Sequence, residues 1–301
     1  MHRATDLHIH PMNFDIVPAA HFGIDELTTL WNRSYEDYFV PIAFDRAMFE
    51  RHVRRAEADL ALSRVIVVDG DACGLSLVGR RGPRAYLAGF GIASAQRRRG
   101  LAKQLIEAQL RDLSAAGIAQ VQLEVIEQNP ARQLYEQAGF VEVRTLEVLE
   151  GSFESPANAA NPTTPDTGTL AAVHAACTAL SRPTWRREWP TVQGALAHDG
   201  ALALGTATGG YAVLLPTPLP LNTLLDAAAP DEASAHALLD ALAQARPGAR
   251  WRLVDEPEGS PMHRALTARG ATLVIRQIEM TATLQPTSSD SSSDSSRPVR
   301  S

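Results

Sequence analysis

The chain has 301 residues, 45% hydrophobic and 21% charged, the make-up of ordinary globular protein with length enough for two domains. A formal net charge of −6 and a pI of about 5.9 exclude broad electrostatic attraction to nucleic acid. Two isolated cysteines, Cys73 and Cys177, exclude a disulfide scaffold or a cysteine zinc site, and no apolar run reaches membrane-spanning length.

Residues 1–12 are polar, His-rich and patternless, and read as a disordered N-terminus. They lack the hydrophobic core of a signal peptide, so the cytoplasm is the expected compartment. Met12, directly before the first strand, reads as an alternative start. His8 and His10 have no further ligands in suitable context, and no metal is expected.

Strand 14–18 is followed by a helix from Gly23 to Tyr35, a loop over 36–41, and a helix from Asp45, a good N-cap, to Glu57. Strand 64–69 turns at Asp69-Gly70-Asp71 into strand 72–79, and Arg81-Gly82-Pro83 turns into strand 84–92. Gly89 and Gly91 lie inside that last strand, where glycine forgoes packing. They predict a bulge or the close backbone approach of a ligand, with sheet twist as the competing reading.

Residues 97–102, Arg97-Arg98-Arg99-Gly100-Leu101-Ala102, then join this strand to an amphipathic helix with apolar residues at Leu101, Leu105, Ile106, Leu110 and Leu113. A helix that opens at glycine leaves backbone N–H groups unpaired, and those donors with the helix dipole form an anion site. Gly100 and Ala102 allow a pyrophosphate close to the backbone, and the arginines add charge. Downstream come a buried strand over 121–126, Asn129, a short helix from Pro130 to Ala138 containing Tyr135, the stop Gly139-Phe140, and strand 141–149.

This order resembles the GNAT family of acyl-CoA-dependent N-acetyltransferases, over residues 13–150 and most specifically over 86–149. The resemblance implies an α+β fold of three layers, with a mixed, mostly antiparallel sheet whose splayed parallel strand pair opens a slot for pantetheine. It implies acetyl-CoA as co-substrate, with Phe90, Gly91 and Ile92 along the splayed strand. Arg97, Arg98, Arg99, Gly100, Leu101 and Ala102 would surround the pyrophosphate. Asn129 would hold a cofactor amide or merely cap the turn. Tyr135 would stand where the thiolate leaves, as its proton donor, or simply pack the helix.

Acyl transfer by direct attack needs a neutral amine, N–H donors for the oxyanion (near Ile92 on this reading), and an acid for a thiolate whose solution pKa is about 8.5. Glu124, Glu36 and Asp37 are candidate bases, and the sequence selects none of them. The expected activity is acetylation of a primary amine on a small molecule or protein, with no nucleic-acid or membrane partner. The alternative is a catalytically silent acyl-CoA-binding regulatory module. Neither the acceptor nor the oligomeric state is encoded in a pattern.

Residues 151–168 read as a linker rich in Pro, Asn, Thr and Ala. Residues 169–284 repeat the element order: helix 169–181, strands 201–206, 211–216 and 221–225, helix 231–245, strand 250–254, helix 262–268 and strand 271–283. Gly139 falls on Gly270, so the half reads as a degenerate GNAT-like domain duplicated in tandem. At its first-turn position stand Pro230-Asp231-Glu232-Ala233-Ser234, where the acids would repel a pyrophosphate. Tyr135 falls on Leu266 and Asn129 on Gly259. Trp185, Arg186, Arg187 and Trp189 suit domain packing, or a wall of the first domain's acceptor pocket. Residues 285–301, rich in Ser and Asp, read as a disordered tail.

Overall fold

The computed structural model describes residues 13–40, 42–156, 159, 161–216 and 221–285; His8, His10, Met12 and nearly all of the expected tail lie outside them. The first half places β1 (Phe14–Pro18), α1 (Ile24–Ser34), α2 (Arg46–Ala56), β2 (Arg64–Val68), β3 (Asp71–Arg81) and β4 (Arg84–Ile92) in chain order. Then come α3 (Leu101–Ala115), β5 (Gln120–Ile126), α4 (Ala131–Gln137) and β6 (Val141–Ser152). Local chemistry sets several boundaries. The Asp45 carboxylate accepts from Met48 N–H at 2.7 Å and starts α2. Gly139, at φ +94°, ends α4 in the left-handed conformation that a side chain disfavours.

The second half runs α5 (Thr167–Thr178), α6 (Trp189–His198), β7 (Leu202–Gly205), β8 (Tyr211–Leu214), β9 (Leu221–Ala228), α7 (Glu232–Ala245), β10 (Arg250–Pro257), α8 (Pro261–Ala268) and β11 (Thr272–Thr283). Helix α6 is not among the elements expected from the sequence. Pro190 falls in the first turn, where its missing N–H costs nothing. The fold class is otherwise as expected: among the described strands only β4–β5 and β9–β10 run parallel.

The two halves do not build separate sheets. Among the described residues, eleven strands form one sheet in the order β1-β2-β3-β4-β5-β11-β6-β10-β9-β8-β7. The final strand of each half has crossed to the other. β11 pairs with β5 of the first half, and β6 pairs with β10 of the second. The cores follow the strands: Ile278, Met280 and Ala282 pack with Val121, Leu123 and Val125, while Leu149 and Phe153 pack with Leu224, Leu238 and Trp251. A third cluster, Leu27, Trp31, Phe49, Leu75 and Leu77, fixes α1 and α2 on the first half's sheet. No helix among the described residues is long and apolar enough to cross a membrane.

Candidate active site

Strand β4 pairs with β5 only where Arg84–Tyr86 face Gln120–Gln122. Beyond Tyr86 the two strands diverge, and a cavity of about 300 Å³ opens between Leu87–Phe90 and Leu123–Ile126. The divergence coincides with a bulge. Leu77 on β3 faces Gly89 and Val78 faces Leu87, so Ala88 is the extra residue. Its carbonyl accepts a hydrogen bond from His52 Nε2 at 3.1 Å, and burial lowers the His52 ring to about 4, keeping it neutral.

The bulge expected from Gly89 and Gly91 is therefore present, but a different neighbour makes the close approach. A Cβ on Gly89 would lie 2.3 Å from the Trp31 ring, and one on Gly91 would lie 2.9 Å from Ser34 Cβ. These glycines let α1 sit directly on β4, and the ligand-approach reading gives way to helix packing.

The expected anion site falls at the start of α3. Gly100 adopts φ +79°, and a Cβ there would meet nothing within 4 Å. No side chain caps α3, and the N–H groups of Leu101 and Ala102 find no acceptor among the described residues. The Leu101 side chain is buried in the core, so it offers the site only its backbone. The three arginines divide. Arg97 turns inward, donating to the carbonyls of Ile92 (3.0 Å), Ser34 (3.1 Å) and Glu36 (2.8 Å). It braces the loop after α1 against the end of β4. Arg99 reaches Gln96, while Arg98 is exposed at φ +61° with no partner among the described residues.

Along β4 the donors alternate. Ala93 N–H goes to Cys73 on the β3 side at 2.8 Å, so antiparallel pairing leaves the N–H groups of Phe90 and Ile92 on the slot side. The Phe90 N–H is taken by the Tyr35 hydroxyl at 3.1 Å. Asn129 Oδ1 accepts from Ala131 N–H at 2.9 Å and its amide donates to the Tyr38 hydroxyl at 3.2 Å, so it caps α4 and fixes Tyr38 while lining the cavity.

Tyr135 lines the same cavity, wedged edge-on against Phe90 and Phe140, and its hydroxyl bonds to no described residue. Burial pushes its phenol well above the usual tyrosine value. Of the candidate bases, only Glu124 lines the cavity. Glu36 accepts from Ser94 Oγ at 2.6 Å and Asp37 is exposed, both outside the lining. Glu124 Oε2 accepts from the Tyr86 hydroxyl at 2.6 Å, and Oε1 has no partner. Burial raises this carboxyl to about 7 against the opposing pull of the Arg186 guanidinium.

The second half supplies part of this cavity. Arg186, held by Asp255 Oδ1 at 2.5 Å, enters the lining together with Val254, Asp255, Ile275 and Gln277. Within the Trp-Arg run the positions differ. Trp185 is fully buried, stacks on Tyr86, and donates from its indole to Ala56 at 3.1 Å, while Arg186 walls the pocket. His52, Tyr86, Asp255 and Gln277 carried no sequence signal as pocket residues.

The second half repeats the splay without the slot. β9 and β10 pair over Leu221–Leu224 and Arg250–Leu253, and beyond them the gap holds the Arg187 guanidinium. It donates to Asp226 Oδ1 at 2.7 Å, Glu256 Oε2 at 2.6 Å and the Ala227 carbonyl at 2.6 Å, leaving about 60 Å³. At the start of α7, Asp231 accepts from Ser234 N–H at 2.8 Å, so a built-in carboxylate stands where α3 has an uncapped glycine.

Residues 43–152 match the family described as the acetyltransferase (GNAT) domain. No curated protein matches the chain in sequence. Among solved structures it is similar to a GCN5-related N-acetyltransferase from Sphaerobacter thermophilus, with TM-score 0.64 and 17% identity over 91% of this chain and 96% of the other. It is also similar to a tandem GNAT protein from the clavulanic acid biosynthesis pathway, with TM-score 0.62 and 17% identity over 91% and 99%. A chain from Pyrococcus horikoshii gives 0.65 and 12% over 95% and 94%. Residues 43–152 thus match the acetyltransferase (GNAT) domain model, and the chain as a whole has the fold of these tandem GNAT structures.

Proposed function

We propose that the first half, residues 13–150, is an acetyl-CoA-dependent N-acetyltransferase that acetylates a primary amine by direct attack, with the second half, residues 169–284, as its structural partner. The observation that carries this reading is the slot beyond Tyr86 and Gln122, lined at once by an unpartnered phenol and a half-bonded carboxyl. The residues present fit acetyl-CoA. The uncapped start of α3 offers amides and empty space to a pyrophosphate, with Arg98 beside it, and β4 presents the Ile92 N–H to a carbonyl in the slot.

The neutral amine's nitrogen forms a bond to the thioester carbonyl carbon, and Glu124 takes the proton that the attacking nitrogen then sheds. The Ile92 N–H meets the oxyanion. As the C–S bond breaks, Tyr135 donates its hydroxyl proton to the sulfur, and the proton held by Glu124 returns to the phenolate through solvent. The products are an amide and free CoA thiol. A silent acyl-CoA-binding module would need neither the phenol nor the raised carboxyl.

Titration with acetyl-CoA in a calorimeter should show one equivalent per chain, since the cradle occurs once; two would sink the reading. Free thiol should then appear when amines are added, and its absence across a broad amine panel would favour the silent module.

A further inference from the structure

A second cavity of about 310 Å³ adjoins the first. The two share Phe44, His52, Tyr86, Arg186 and Val254 in their linings, so they are neighbouring chambers separated by a few side chains. The second lies between α2 and the second half's strands β9 and β10, with Met48, Leu215, Leu225 and Val254 as its apolar walls.

The chambers differ in charge. Glu124 and Asp255 line the first. No acid lines the second, which instead carries Arg51, Arg55 and Arg186. Arg55 is committed to Asp199 at 2.6 Å. Arg51, on α2, makes no ion pair or hydrogen bond to a described residue. Arg186 lines both chambers and bonds Asp255 through one terminal nitrogen, leaving its Nε without a partner among the described residues. A cation left unpaired in an apolar chamber is costly unless an anion meets it. His52 adds no competing charge, being neutral.

We propose that the acceptor is a primary amine joined through an apolar arm to an anionic group, with the amine at Glu124 and the anion in the second chamber on Arg51 and Arg186. This rests on the acetyltransferase reading and narrows it to a substrate class: aminoalkanoates whose arm reaches from one chamber into the next. A plain hydrocarbon amine would leave Arg51 unmet. A polyamine would place its second cation against the arginines.

The test uses matched pairs of amines that differ only in the far group, with chains of increasing length: aminoalkanoates such as 6-aminohexanoate, against the corresponding alkylamines and diamines. Each charge-assisted hydrogen bond to arginine corresponds to about a 10- to 100-fold preference. The carboxylate members should therefore show higher kcat/KM by at least about tenfold, and diamines should be the poorest. Arg51→Gln should bring the members of each pair close together, mainly through KM. Equal or better turnover of alkylamines or diamines would overturn the inference and leave the acetyltransferase reading standing. So would a preference that survives Arg51→Gln. Turnover of no amine despite acetyl-CoA binding also counts against it, whereas failure to bind acetyl-CoA at all would remove the underlying reading.

Discussion

The two side chains to which the proposed mechanism gives proton transfers sit in different environments. Tyr135 sits in an apolar wedge of Phe90 and Phe140, and burial keeps its phenol protonated across the physiological range and well beyond. It remains able to donate wherever the protein is folded. Removing only the hydroxyl, Tyr135→Phe should lower turnover by about 100-fold, near the lower end for general acids because thiolate is a good leaving group. Acetyl-CoA affinity measured by calorimetry should hardly change; full turnover with chemistry rate-limiting would reduce Tyr135 to packing. Glu124 is the opposite case. Burial lifts its carboxyl to about 7, and a base must be deprotonated to work, so kcat/KM should rise as pH increases through about 7. Glu124→Gln preserves size and the Tyr86 contact, and it should abolish that inflection and cost at least about 100-fold. A variant whose pH profile keeps the same limb would show that another group titrates.

At the scale of single elements, the turn between β4 and α3 was readable because its chemistry is local. An uncapped glycine helix start needs no knowledge of the rest of the fold. Gly100→Val is the direct check. A β-branched residue at φ +79° carries strain of about 1–3 kcal/mol and projects into the space over the helix start. The expected result is a folded protein whose acetyl-CoA affinity falls at least about tenfold, read by calorimetry. Unchanged affinity would place the pyrophosphate elsewhere. Gly89 and Gly91 lie in the same strand and were read less well. Glycine in a strand announces a close approach but not the approaching group, and here that group is Trp31 and Ser34 on α1. Most strands and helices were legible from periodicity. Arg97 shows the limit at a motif: three adjacent arginines look alike in sequence, and only the fold shows that Arg97 is bonded to three carbonyls while Arg98 bonds to no described residue. Pocket residues such as His52, Tyr86 and Asp255 come from separate elements, and nothing in their neighbours marks them.

At the scale of the molecule, alternation of apolar residues identifies a strand but not its partner. Val141–Ser152 and Thr272–Thr283 both read as closing strands, and exchange between the halves leaves each pattern intact. The consequence is energetic. β6 has both neighbours, β11 and β10, from the second half, and β11 lies between two strands of the first. Met280 is fully buried among Leu123, Tyr135 and Phe140, although it lies in the C-terminal strand. Neither half can lose its fold without uncovering the other's core. Unfolding in urea should therefore be one transition, with tryptophan fluorescence and far-UV circular dichroism coincident. Met280→Ala removes a buried side chain and should cost about 2–5 kcal/mol. That loss should move the midpoint of the single transition, although the cavity it leaves lies in the first half's core. Two resolved transitions, with Met280→Ala shifting only one, would show that the halves fold independently despite sharing a sheet.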